Sequence, residues 1–218
     1  MTHHELPAPA EKKRFCIFGV EFVYLYFFGI LVAAVGWWVE NLARAFGAPA
    51  TFDCRYHLLP FISVYGLIVF AFHIALGDPD RITLFGKRLF KQDTWKTRVL
   101  SNIFSFLLIS LFVFLGELAV GNLWDILFGV QLWNYGGWPL RVTQYTSIVS
   151  TFGFGFGAYL LFRFVYKPVL RLCRKINFKV AKIVDCTLGV LIVLDTLFMI
   201  VWLAIFHESP MYWSVKLK

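Results

Sequence analysis

Thirteen acidic side chains occur in this 218-residue chain, and several of them stand where a carboxylate is costly. Glu40 and Glu117 lie in the outer parts of long apolar runs, Asp125 follows one, and Asp195 sits near the middle of another. An acid within hydrocarbon costs about 2.5–3.5 kcal/mol on insertion scales, so each needs a partner, a proton or a ligand. Carboxylates gathered around one opening can accept hydrogen bonds from a solute or act as general acids and bases. Arg55, in the segment following Glu40, would serve as counter-ion or hold an anionic headgroup. With the aromatic and amide groups that follow Asp125, the candidate binding set is Glu40, Arg55, Glu117, Asp125, Trp133, Asn134 and Tyr135. Asp195 stands apart as an intramembrane polar residue with two readings: a protonated or hydrogen-bonded packing group, or a carrier of protons or substrate. Glu21 and Arg163 lie close enough to the inner surface to snorkel, and Asp185 is level with Arg163 and placed to pair with it.

Other chemistry is missing from the pattern. Cys16, Cys54, Cys173 and Cys186 lack the close paired spacing of a zinc or redox site. His3 and His4 read as part of a tail. No Gly-x-x-x-x-Gly-Lys-Ser/Thr phosphate loop occurs, so ATP hydrolysis requires a separate ATPase. No catalytic residue, metal or cofactor is assigned.

The elements that must position these groups follow from composition. The chain is 59% hydrophobic, 19% aromatic and 16% charged, with a mean hydropathy of +0.70. A soluble domain carries roughly 25% charged residues, and a globule of this length has too little interior to hide so much apolar surface. Five runs reach membrane-spanning length, at 15–38, 58–76, 99–120, 147–166 and 183–206. They are continuous rather than alternating, which excludes a barrel and predicts an all-α helix bundle with five transmembrane helices. The resulting organisation is a cytoplasmic tail at 1–14, one transmembrane domain at 15–206, an outer interfacial loop at 121–145 and an outer tail at 207–218.

Sixteen of the 21 Lys and Arg residues fall in the tail, in 77–98 and in 163–182. The remainder are Arg44, Arg55, Arg141, Lys216 and Lys218. Basic residues are retained on the cytoplasmic side, so the N-terminus is expected inside a cell (inner) membrane and the C-terminus outside. The net charge of +8 is thus read as topology, with no nucleic-acid partner. The basic inner loops suit membrane lipids of an anionic leaflet or docking of a partner subunit, and an oligomer is compatible with them. Seven of the eight tryptophans gather toward the other side, more than an aromatic belt explains. They point to a folded outer loop, beginning with an interfacial helix after 121.

Two stretches share a pattern: Gly36, Glu40, Leu42 and Gly121, Asp125, Leu127. Both end an outward helix, which suggests two helix-hairpin repeats with a fifth helix added, and a site at their junction. At these residues the sequence resembles the CmpB-like putative ABC-transporter permease family, which has vertebrate transmembrane-protein relatives. The resemblance rests on Gly36, Trp37, Glu40, Arg55, Pro60, Tyr65 and Gly66, then on Glu117, Gly121, Asp125, Phe128, Trp133, Asn134, Tyr135 and Pro139, across 27–157. Asn134 departs from the family's Asp, as do His57, Ser63, Arg141 and Gln144 from its other motif residues.

The resemblance implies a transport-type membrane subunit that binds or moves a small or lipidic molecule at the outer junction of the repeats. A non-catalytic scaffold or assembly subunit of a larger complex is the first alternative. The second is an intramembrane lipid-modifying enzyme using Glu40, Glu117 and Asp125; lacking a nucleophile motif, it is the weakest of the three.

Overall fold

The computed structural model describes residues 14–45, 51–53, 57–79, 81–90, 94–208 and 214–216. Arg55, Cys54, Trp213, His3 and His4 lie outside the described residues.

Each of the five apolar runs contains a helix. α1 covers Phe22–Ala45, α2 Ser63–Leu76, α3 Trp95–Phe128, α4 Ile148–Leu160, α5 Tyr166–Cys173 and α6 Phe178–Phe206. A π-helical segment, Leu161–Val165, joins α4 to α5 without a break. Pro168 has no N–H to offer the Phe164 carbonyl, and the helix widens over the turn that precedes it. Four units are long and apolar enough to cross a bilayer: Phe22–Leu42, Trp95–Phe128, Ile148–Cys173 and Phe178–Phe206. The all-α membrane bundle expected from composition is thus borne out.

α2 behaves differently. Its 14 residues rise about 21 Å, less than the roughly 30 Å of hydrocarbon. It begins beside the middle of α1, where the Ile62 N–H donates to the Ala33 carbonyl at 3.1 Å. The segment before α2 therefore lies alongside the second half of α1. Apolarity reported the environment of 58–76; it did not report that its first residues are non-helical.

α3 differs in the other direction. It continues through 121–128, so the residues expected to open the outer loop as an interfacial helix form the last two turns of α3. Leu, Trp, Ile and Phe keep the helix going, Gly121 is buried against Tyr145, and the turn stops only at Gly129 (φ 65°), whose N–H caps Asp125 at 2.9 Å.

α1 packs antiparallel on α2, and α3 on α4, while α5 and α6 close on α1. Nearly half of the α1 span is buried, against 17% for α3 and α6, so α1 is the central helix. Leu25, Phe28, Val69, Phe72, Ile109 and Phe162 are almost fully enclosed. The outward faces carry Leu107, Leu111 and Leu115 on α3 and Val190, Leu194 and Val201 on α6, which suit lipid rather than water.

Short strands finish both ends. At the end rich in Lys and Arg, β1 (Cys16–Ile17) pairs with β2 (Val20–Glu21), and β4 (Gly77–Asp78), β5 (Arg81–Leu84) and β6 (Lys87–Arg88) form an antiparallel meander. At the tryptophan-rich end, β3 (Thr51–Asp53) pairs antiparallel with β7 (Ser214–Lys216), so the chain's last strand returns to the loop after α1.

Candidate functional site

The tryptophan-rich end gathers most of the polar groups singled out above. Each helix hairpin contributes one acid and one tyrosine. In the first, Tyr65 of α2 donates to Glu40 of α1 at 3.3 Å. In the second, Tyr135 of the loop after α3 donates to Glu117 of α3 at 2.9 Å. The pairs are neighbours: Tyr65 lies within electrostatic reach of Tyr135 and Glu117, and Tyr135 within reach of Glu40. Glu40 and Glu117 thus converge at the junction of the two hairpins.

The two acids are differently satisfied. Glu117 also accepts from Thr146 Oγ1 at 2.8 Å, and Ser150 Oγ, whose one proton is shared with the Ser147 carbonyl at 3.0 Å, lies 3.3 Å from it. Thr146 is enclosed, as is Ser147, the N-cap of α4 that exchanges hydrogen bonds with Ser150. Glu117 therefore ties α3, the loop and the start of α4 together. Glu40, half-buried, has one hydroxyl donor among the described residues, at longer range, and keeps acceptor capacity on its other oxygen. Burial, and next the Glu117 charge, push the Tyr135 phenol above its ordinary range, so it acts as a neutral donor.

The loop at 129–147 sets these positions. Trp133 Nε1 donates to the Tyr145 carbonyl at 2.8 Å, and the Tyr135 N–H donates to the Gln144 carbonyl at 2.8 Å. Asn134 is exposed; its Oδ1 accepts from the Gly136 N–H at 2.6 Å, closing an Asx turn. Trp133 and Asn134 thus shape the loop that carries Tyr135. Asp125 does not join the hydroxyl set around Glu117; Gln144 donates to it at 3.4 Å.

Glycine makes both hairpins close. A Cβ at Gly36 would overlap the Tyr65 ring, and one at Gly121 would overlap the Tyr145 ring. Tyr145 also lies within electrostatic reach of Asp125, as Tyr65 does of Glu40. The matched residues of the two stretches therefore have matched surroundings.

Asp195 lies away from this cluster. Its carboxylate accepts from the backbone N–H groups of Leu58 and Leu59 at 2.8 and 3.1 Å, and His57 Nδ1 is 3.4 Å away. These bonds accord with the hydrogen-bonded packing reading. Asp185 does not pair with Arg163, which instead donates to the Pro79 carbonyl at 3.5 Å. Both Asp185 oxygens are buried without a hydrogen-bond partner among the described residues.

Tyr65, Thr146 and Ser150 were not among the candidate residues. Tyr65 stood in a quoted motif, but the Thr and Ser cluster before the fourth apolar run carried no signal beyond that of a helix start.

These helices and hairpins define a multi-pass membrane protein whose polar groups meet between two hairpins. The chain matches the model of the family described as "Putative ABC-transporter type IV" over residues 25–200, and it belongs to that family. The match runs from α1 into α6, well past the 27–157 covered by the short motifs. No curated protein and no solved structure matches the chain.

Proposed function

We infer that the chain is the membrane-embedded component of a transport system, oriented with its basic end cytoplasmic and its tryptophan-rich end outside. It recognises a small or lipidic molecule at the junction of the two hairpins. The observation that carries this reading is the asymmetry of the two carboxylates. Among the described residues Glu117 is held by hydroxyls of its own hairpin and fixes the loop, whereas Glu40 meets a single hydroxyl and retains acceptor capacity beside Tyr65 and Tyr135. Glu40 is thus the group that meets a hydrogen-bond donor or cation on the ligand. Trp133 and Asn134 shape the loop beside it, Asp125 extends the set, and Arg55 is assigned from the sequence as counter-ion for the bound molecule. Energy comes from a separate ATPase docked at the basic end, since the chain has no phosphate loop.

Mass spectrometry of molecules that co-purify from native membranes tests this reading. Glu40→Gln should deplete a species retained by the wild type while leaving the thermal midpoint within a few degrees. An unchanged set of retained molecules removes Glu40 from recognition. The internal hydrogen bonds of Glu117 and Asp195 favour a second reading, a rigid assembly subunit. Recovery of a stable complex whose composition is indifferent to Glu40→Gln supports it.

A further inference from the structure

The opposite, basic end contains a cavity of about 350 Å³, within the size range of small-ligand sites. Three elements enclose it: the turn between β1 and β2, the last turn of α2 and one face of α5. Lys167, Arg171 and Arg174 stand at i, i+4 and i+7, so they share a helical face, and all three line the cavity. Tyr166, Leu170 and Cys173, each one position earlier, turn inward and are buried. The π-helical turn immediately before α5 sets which face looks inward, and such turns recur at functional sites.

The other walls are fixed by backbone and side-chain bonds. Phe18 and Gly19 adopt φ of 43° and 81°, a left-handed turn that brings the Gly19 carbonyl within 3.3 Å of Arg174 Nη2. Arg174 Nε lies 3.6 Å from Glu21, which stands outside the cavity, so this guanidinium is held at the rim. On the inner side, His73 Nε2 donates to the Ile17 carbonyl at 2.7 Å, and His73 Nδ1 and Tyr166 Oη share a hydrogen bond at 2.6 Å. Among the described residues no acid lines the cavity.

The cationic face of α5 against an aromatic wall favours an anion, with Arg174 already engaged by Glu21 at the rim. The position, where helices long enough to cross a membrane end, places that anion at the depth of a lipid headgroup. We propose that this cavity binds a phosphate-bearing headgroup. Arg171 and Lys167 contact the phosphate oxygens, Arg174 closes the rim, and Phe18, which is more than half exposed at the turn, lies against the apolar part of the lipid. A free phosphate ester offers the same oxygens, so the test must separate the two sources. The site is independent of the role given to Glu40.

The full chain is purified in detergent and examined by native mass spectrometry with phosphatidylglycerol, with phosphatidylcholine, and with soluble glycerol phosphate. Retention of phosphatidylglycerol over phosphatidylcholine is expected, weakened about tenfold or more by Lys167→Gln/Arg171→Gln. Lys175→Gln/Lys179→Gln, which removes the same charge outside the cavity, should leave binding within about twofold, as a screened surface pair does. Arg171→Lys, which keeps the charge, tests the same site in a fold least disturbed and should retain most of the binding. If soluble glycerol phosphate binds and phosphatidylglycerol does not, the phosphate site stands and its ligand is a free ester. Equal loss from both double variants reduces the effect to net charge and overturns the proposal. So does indifference of both ligands to Lys167→Gln/Arg171→Gln.

Discussion

Asp195, near the middle of α6, holds the backbone of Leu58 from the segment that precedes α2, at 2.8 Å. The next amide, Leu59, donates to the same carboxylate at 3.1 Å. Non-helical backbone at membrane depth is tolerated only when its polar groups are satisfied within the protein, and Asp195 does this for two successive N–H groups. Its presence in an apolar helix and the shortness of α2 are therefore one fact. Asp195→Asn keeps the size of the side chain but replaces one acceptor with a donor facing an N–H. It should destabilise by about 1–3 kcal/mol, a charge-assisted bond lost and an amide left unpaired, seen as a fall of several degrees in thermal midpoint. An unchanged midpoint sinks the assignment.

Asp185 makes the opposite prediction. It is 6% exposed, and neither of its oxygens has a hydrogen-bond partner among the described residues. A buried polar group without a partner costs about 1–3 kcal/mol. Asp185→Leu should accordingly raise the thermal midpoint, whereas Asp195→Leu lowers it. Arg163→Gln should not alter the Asp185→Leu gain, because the two residues do not pair. A coupling energy above about 0.5 kcal/mol in that double-mutant cycle would show that they do.

How far these relations could be read from sequence depends on their range. Apolar runs follow directly from composition, so the five helices and the unequal charge of their two ends were legible. Lengths were less so: 58–76 is apolar throughout, yet its first residues are a loop held by a carboxylate 136 and 137 residues away. The acids of the cluster stood out because charge in lipid is rare. Their hydroxyl donors did not, because Thr146 and Ser150 look like any polar helix start. The cavity beside α5 depends on a π-helical turn and a left-handed β1–β2 turn, which only assembled backbone reveals.

Gly36 and Gly121 test whether the matched hairpins are equivalent. Alanine at either position drives a methyl into a tyrosine ring, Tyr65 or Tyr145. Overpacking of this kind costs about 1–3 kcal/mol. Gly36→Ala and Gly121→Ala should each lower the thermal midpoint. By contrast Gly153→Ala and Gly157→Ala, where an added Cβ meets nothing within 4 Å, should leave it unchanged or raise it. Equal effects at all four positions would remove the special role of the matched pair.

Tyr135→Phe isolates the bond that orders the outer loop. At pH 8 the variant should be less stable by about 1.5–3 kcal/mol, the range for a hydrogen bond to a charged group. The pH dependence has a definite sign. Burial and Glu117 raise the Tyr135 phenol above its ordinary value of 10.0 in the folded state, so the neutral form is the one that folding favours. That contribution is present in full below about pH 10 and declines as pH rises toward the folded-state value, because the unfolded chain ionises first. The stability gap between wild type and Tyr135→Phe should therefore be constant from pH 7 to 9 and narrow above about 10. Tyrosines and lysines remote from Tyr135 titrate in both proteins and cancel in the difference. Chemical denaturation of both proteins in the same detergent measures the gap, and a gap that stays constant to pH 11 would show that Tyr135 is not held neutral by Glu117.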